Sequence, residues 1–129
     1  MKKTMMYLLI LVGPTAIAQV SYSGEWTKKS YAVEGRWEII KDQDGYLLRL
    51  DQDFSTKKAP DLKIFFSPKP VDEINAKNAL AGAVKISELK TYKGRQEFKI
   101  PRGVSAGAFK TLLIHCEQYD VLWSVAKLN

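Results

Sequence analysis

The sequence Phe109-Lys110-Thr111-Leu112-Leu113-Ile114-His115 is the most apolar run in the body of the chain. Successive side chains of a β-strand project to opposite faces of a sheet. A strand with one face in water alternates apolar and polar residues, whereas an unbroken apolar run predicts a strand buried on both faces. We therefore place residues 109–115 at the centre of the fold.

Shorter segments around this run have the patterns of further strands. Residues 31–40 alternate apolar with charged side chains, residues 41–45 form a polar turn, and residues 46–50 follow as the partner strand. The other predicted strands are residues 62–67, 84–89 and 95–100, and a closing strand in which Val121, Trp123 and Val125 face one way.

Only residues 71–80 could hold a helix, a single short one with Asp72 near its start. Strands at short, regular spacing with Gly, Pro and Asp turns predict an all-β fold, namely a single antiparallel β-sandwich or barrel-like domain.

Residues 1–18 have the order of a secretory signal: a positive start, a short apolar run, a helix breaker and small residues before a cleavage point. These features are Lys2-Lys3, residues 5–12, Gly13-Pro14 and Ala16-Ile17-Ala18. The apolar run is far shorter than the ~20 residues that span a bilayer. We expect cleavage after Ala18, a single domain over 19–129 with no membrane span, and a periplasmic or secreted location.

The charge balance argues against a nucleic-acid partner. The full chain carries a net charge of +6, and loss of Lys2 and Lys3 would leave a smaller positive charge scattered among acidic residues. This pattern is typical of a solvated surface of mixed charge.

Few residues are available for metal or cofactor chemistry. The chain has one His and one Cys, and its three Met all precede the predicted cleavage point. An internal disulfide is excluded, and zinc, blue-copper and c-type haem sites lack ligands. Asp42-Gln43-Asp44-Gly45 is predicted to be a hairpin turn and Asp51-Gln52-Asp53 an exposed strand end. We expect no metal, no cofactor and no stand-alone enzyme.

Cys116 is the most informative residue, because a lone thiol is a liability in an oxidising compartment. His115 precedes it, and neighbours on a regular strand face opposite ways, so a thiolate–imidazole pair would need a bulge. Two interpretations remain open. Cys116 is a small buried residue, or it is a partly accessible, reactive thiol at a strand end beside Glu117-Gln118.

Four spaced blocks, covering about residues 22–128, resemble the DM-thirteen domain, a family described as an electron-transfer module. The blocks are Gly24-Glu25-Trp26 with Gly35-Arg36-Trp37; Phe54 with Ala59-Pro60-Asp61-Leu62; Leu89-Lys90, Gly94, Gln96-Glu97-Phe98 and Ile100-Pro101; and Cys116, Tyr119, Val121, Trp123, Ala126 and Leu128. His115 stands where the family usually has Trp, Ser124 where Gly is common, and Ala59 where Gly is frequent.

The resemblance implies a small exported bacterial member with an all-β fold, and it maps the family's proposed redox residue onto Cys116. Two functional hypotheses follow. The first is a redox or electron-transfer accessory domain that acts through Cys116 with a separate partner protein holding the cofactor. The second is a non-catalytic β-sandwich module of the cell envelope that binds a small ligand and keeps Cys116 as a structural residue.

Overall fold

A computed structural model describes residues 19–129, so the predicted signal segment lies outside the described residues. The described residues contain eleven strands, two three-residue 3-10 turns and no α-helix. The strands are β1 Gln19–Gly24, β2 Thr27–Lys28, β3 Val33–Glu34, β4 Trp37–Asp42, β5 Gly45–Leu50, β6 Ser55–Thr56, β7 Leu62–Ser67, β8 Val84–Glu88, β9 Gln96–Lys99, β10 Thr111–Cys116 and β11 Val121–Lys127.

The strands form two main antiparallel sheets that pack face to face. Sheet 1 has the order β1-β4-β5-β9 and sheet 2 the order β2-β11-β10-β7-β8, while β3 and β6 form a separate two-stranded ladder. Apolar side chains of both sheets meet in one cluster, the inter-sheet core, which includes Trp37, Leu48, Ile64, Leu112 and Ile114. The fold is an antiparallel β-sandwich, and the all-β prediction is confirmed.

Strand β10 is the centre of sheet 2, between β7 and β11, and all six of its residues are buried. Leu112, Ile114 and Cys116 belong to the inter-sheet core, whereas Leu113 belongs to a second cluster on the opposite face. The predicted central strand with two buried faces is therefore confirmed.

The second cluster, here called the outer layer, covers the face of sheet 2 that points away from sheet 1. It joins Phe65, Leu113, Leu122 and Val125 of the sheet to Ile74 and Ala79 of the connection between β7 and β8. That connection contains the residues predicted to allow a short helix.

Within residues 71–80 only Val71–Glu73 is helical, as a 3-10 turn, and a second 3-10 turn lies at Ala106–Ala108. The Asn75 side-chain oxygen accepts the backbone N–H of Lys77 at 2.8 Å and of Asn78 at 3.1 Å. Such side-chain bonds compete with the backbone bonds of a helix, which explains the irregular path. Neither turn is long or apolar enough to cross a membrane.

The predicted strand over residues 31–40 is wrong in one respect, because the chain breaks at Gly35 into β3 and β4. Gly35 has a φ of +96°, a conformation that L side chains rarely adopt. Asp51 N–H donates to the Arg36 carbonyl next to it, so the turn after β5 packs against this break.

The expectation that Val121, Trp123 and Val125 share one face is also wrong. Trp123 lies in the inter-sheet core and Val125 in the outer layer. The register between β10 and β11 shifts between Ile114, opposite Ser124, and His115, opposite Leu122. The extra residue is on β11, and a bulge of this kind reverses the facing of every residue beyond it.

Replacing Gly35 by Ala should destabilise the fold more than the same change at Gly94. A Cβ on Gly35 would lie 2.7 Å from the Phe54 backbone nitrogen and 2.8 Å from the Asp53 carbonyl carbon. Gly94 also has a positive φ, +88°, but a Cβ there meets nothing within 4 Å. We expect Gly94→Ala to cost about 1–2 kcal/mol and Gly35→Ala roughly twice that in urea unfolding. Equal losses would show that the close approach at Gly35 does not matter.

Candidate functional site

Cys116 is the last residue of β10, opposite Leu62 of β7 and Val121 of β11. Its side chain points into the inter-sheet core, and the residue is 1% exposed. The thiol donates to the carbonyl oxygen of Pro60, with 3.1 Å between sulfur and oxygen. The strand ends where predicted, and the burial of the thiol agrees with the interpretation of Cys116 as a small buried residue rather than with that of a partly accessible thiol.

The Ala59-Pro60-Asp61 segment, here called the cover loop, lies against the sulfur. Pro60 is an exposed residue, and its carbonyl oxygen contacts the thiol. The Ala59 carbonyl accepts the hydroxyl of Tyr92 at 2.6 Å, and the Asp61 carbonyl accepts the Glu117 N–H at 3.1 Å. These two hydrogen bonds hold the two ends of the cover loop.

Left-handed backbone conformations mark both connections at this end of sheet 2. Asp61 has a φ of 63° and Asp120 a φ of 54°, and these are the non-glycine residues with positive φ in the described part of the chain. Asp tolerates this region better than most residues, but it remains less favourable than an extended or right-handed conformation. Asp61 leads directly into β7, and Asp120 leads directly into β11.

The charged side chains of Asp61, Lys63 and Glu117 link the connection before β7 to the turn between β10 and β11. Lys63 Nζ lies 2.6 Å from Glu117 Oε1 and 3.2 Å from Asp61 Oδ1. Hydrogen bonds to Glu117 and then to Asp61 raise the pKa of Lys63. Lys63 therefore ties the cover loop to the turn that follows Cys116, through contacts that salt weakens.

His115 lies on the other face of β10 and is fully buried. Its ring meets Phe65 edge-on with 6.3 Å between ring centroids, and its Nε2 lies 3.2 Å from Asp120 Oδ1. The Asp120 contact is within ion-pair distance but lacks hydrogen-bond alignment, so both ring nitrogens are buried without a hydrogen-bond partner. Burial lowers the pKa of His115, and the Asp120 carboxylate opposes that effect only in part.

The structure does not bring His115 and Cys116 together. The bulge inserts its extra residue in β11, so β10 keeps its regular pleat and the two side chains stay on opposite faces. The described residues therefore contain no thiolate–imidazole pair. Within residues 19–129, no three or more His, Cys, Asp or Glu side chains gather in a way that could hold a metal ion.

The acidic sequences Asp42-Gln43-Asp44-Gly45 and Asp51-Gln52-Asp53 both have structural roles. Asp42 pairs with Gly45 across the β4–β5 hairpin, and its carboxylate accepts the N–H of Asp44 at 2.9 Å. This confirms the predicted hairpin turn. The Asp53 carboxylate accepts the N–H of Arg36 at 3.4 Å and so contributes to the break at Gly35.

Sequence reasoning missed the residues that enclose the thiol. Pro60 and Asp61 occur in one of the blocks that carry the DM-thirteen resemblance. The sequence therefore singled them out, but it did not show that they contact the thiol. The other missed feature is Tyr31, which stacks on Trp123 with 4.1 Å between ring centroids and an interplanar angle of 28°. Its pairing depends on the β11 bulge and on the path of the chain after β2, which no local pattern encodes.

The fold and the site define an antiparallel β-sandwich with a single thiol enclosed at the end of its central strand. Residues 25–128 match the family model described as Electron transfer DM13. The match covers most of the chain, and the protein belongs to this family. No curated protein and no solved structure matches this chain. The family resemblance found in the sequence is thereby confirmed.

The stability of the fold should depend on pH through His115, the single histidine of the chain. Its pKa in the folded state is below the ordinary 6.5, so the unfolded state binds the proton more readily. Stability from this group should be fully present above about pH 6.5 and decline as the pH falls through the lowered pKa, by at most ~1.4 kcal/mol per pH unit.

Urea unfolding of the protein and of His115→Gln between pH 5 and pH 8 measures this contribution. The free energies of unfolding of the two proteins should differ by a constant amount above neutrality. At acid pH the difference should shift in favour of His115→Gln. Carboxylates change the pH dependence of stability mainly at lower pH, and both proteins have the same carboxylates. Parallel curves throughout would contradict a buried neutral His115.

Proposed function

We propose that the protein is an exported redox accessory domain that acts through Cys116 together with a separate partner protein. Membership of the electron-transfer family supports a redox role. Cys116 is proposed as the reactive residue because its thiol contacts the carbonyl of the exposed Pro60. Pro60 belongs to the cover loop, which ends at Asp61 in a left-handed conformation.

A single thiol can exchange two electrons with a partner protein by forming one half of a mixed disulfide. After its proton passes to water, the Cys116 sulfur attacks one sulfur of a partner disulfide. The partner's S–S bond breaks as the new S–S bond forms, and the leaving partner thiolate keeps the electron pair of the broken bond. A second thiol of the partner system then attacks the mixed disulfide and releases Cys116. No second cysteine exists in this chain to do so.

This chemistry requires the cover loop to open, since the sulfur is closed to solvent. Opening would break the contact of Sγ with Pro60, the bond from Glu117 N–H to the Asp61 carbonyl and the ion pair of Lys63 with Asp61. It would also release Asp61 from its left-handed conformation. Local openings of this size have lower free energies than global unfolding.

A second candidate function is a binding module in which Cys116 only packs. The burial of the sulfur in the inter-sheet core favours it. A cleft of about 260 Å³ at one end of sheet 1 offers a place for a small ligand. Its lining includes Tyr22, Tyr46 and Ser105.

The two candidates differ in how Cys116 reacts with a maleimide or disulfide reagent in the native protein. If the cover loop opens locally, the labelling rate should hardly change at low urea concentrations, because local opening exposes little surface. If the thiol is reached only through global unfolding, the logarithm of the rate should rise with the full slope of the unfolding transition. The second result would favour the binding module.

Substitution of Cys116 by Ser provides the matched functional test. A serine hydroxyl can still donate to the Pro60 carbonyl, so the melting temperature should change little while formation of mixed disulfides is lost. Cys116→Ala is the control, because it removes both the nucleophile and the hydrogen bond. If Cys116→Ser lowers stability strongly and the native thiol resists labelling, Cys116 is a packing residue.

Export predicts a processed N-terminus. Mass spectrometry of protein recovered from the cell envelope or culture medium should find Gln19 first, in its free or cyclised form, because Ala16-Ile17-Ala18 supplies the small residues before the cut. Recovery of a chain that retains Met1 in the cytoplasm would contradict export.

A further inference from the structure

Two segments that are distant in sequence form a basic surface around Tyr31. Residues 26–33 and 54–60 contain four lysines, and the nearest acidic residue of the ladder that joins them is Glu34, opposite Ser55. The backbone joins the segments where Val33 pairs with Thr56, and the Thr56 hydroxyl donates to the Ala32 carbonyl at 3.0 Å. We call this surface the Tyr31 patch; it consists of Lys28, Lys29, Tyr31, Lys57 and Lys58.

Tyr31 is held as a fixed platform at the centre of this patch. Its inner face stacks on the buried Trp123, and Lys57 Nζ lies 5.6 Å from the ring centroid. Trp123 is fixed in turn by donation from Nε1 to the Thr56 hydroxyl at 2.8 Å. Tyr31 nevertheless remains 38% exposed. A rigid aromatic ring costs little conformational entropy on binding and is typical of the anchor residues of protein interfaces.

The lysines of the patch have no acidic partners within the described residues. All four are exposed, and none forms an ion pair with an acidic side chain of residues 19–129. Lys63, Arg36 and Arg49, by contrast, each contact at least one carboxylate. Exposed lysines without acidic partners beside an aromatic platform are suited to a partner of opposite charge.

The patch is continuous with the cover loop. Lys57 and Lys58 directly precede Ala59-Pro60-Asp61, so one short stretch of chain carries both the exposed lysines and the carbonyl that contacts the Cys116 thiol. A protein bound at Lys57 and Lys58 would therefore lie beside the point where the thiol becomes reachable.

We infer that the Tyr31 patch is the docking surface for an acidic face of a partner protein. The inference rests on the proposed function, for which it supplies the chemistry of the partner. A protein is favoured over an anionic membrane because the centre of the patch is a single fixed tyrosine, with no exposed aliphatic side chains among its members to enter a bilayer.

Amide chemical shifts of the 15N-labelled protein can test this inference with a short oligoglutamate peptide as the acidic probe. Shifts should change at the five residues of the Tyr31 patch and at Pro60's neighbours, and the affinity should fall as salt is raised to physiological strength. Heparin oligosaccharides and phosphatidylglycerol vesicles serve as the competing anionic probes.

The decisive comparison uses two double variants of equal charge. Lys57→Glu with Lys58→Glu should weaken peptide binding at least about tenfold, whereas Lys77→Glu with Lys99→Glu should weaken it less than about twofold. Lys77 and Lys99 are exposed and belong to neither segment of the patch. Equal weakening by the two variants, shift changes elsewhere, no binding of the peptide, or binding of heparin or vesicles alone would each overturn the inference.

The outcome can be separated from that of the redox proposal with Cys116→Ser. This variant should bind the peptide as the original protein does, because the sulfur is not part of the patch. Loss of thiol chemistry with intact peptide binding would contradict the redox proposal alone. Normal thiol chemistry without patch-dependent binding would contradict the docking surface alone.

Discussion

The pleat of β10 sets which residues of sheet 2 face the inter-sheet core and which face the outer layer. Its side chains alternate between two buried environments, the inter-sheet core and the outer layer, because the strand has neighbours on both sides and apolar cover on both faces. A shift of one residue would exchange the two sets, placing His115 in the core and Cys116 under the outer layer. The alternation therefore decides where each of the two chemically distinctive residues lies.

The same constraint concentrates unusual features at one end of sheet 2. Where β10 ends at Cys116, the neighbouring strands begin at Leu62 and Val121, and each is preceded by an Asp with positive φ. Lys63 connects the two sides of this end through Glu117 and Asp61. Non-glycine residues held in left-handed conformations cluster at active sites and switch regions of proteins.

Much of the fold could be predicted from periodicity, and the errors have identifiable physical causes. The apolar run before His115 indicated the doubly buried strand, and Leu62–Ser67 was predicted with its observed bounds. Gly35 was not recognised as a break, because its positive φ is set by the approach of the Asp53 and Phe54 backbone from a distant turn. The facing of Val125 depends on a bulge, which one strand's pattern does not reveal. The strands β1, β2 and β6 were not predicted at all.

The candidate site was only partly within reach of sequence reasoning. The opposite facing of His115 and Cys116 follows from strand geometry alone, and the structure agrees. The burial of Cys116 depends on contacts with Pro60 and Leu62, which are far from it in sequence. The Tyr31 patch likewise joins two segments through the β3–β6 ladder. These contacts join residues that are far apart in sequence, and local sequence patterns do not predict them.

The proposed redox chemistry requires that the cover loop opens over Cys116 while the sandwich stays folded. Native-state hydrogen exchange of the Glu117 amide tests it most directly, because that N–H donates to the Asp61 carbonyl when the loop is closed. We predict that this amide exchanges with an opening free energy well below that of Leu113 in the middle of β10, and with little dependence on urea. Equal opening free energies and equal urea dependence for the two amides would contradict the account, since the thiol would then be reached only when the whole domain unfolds.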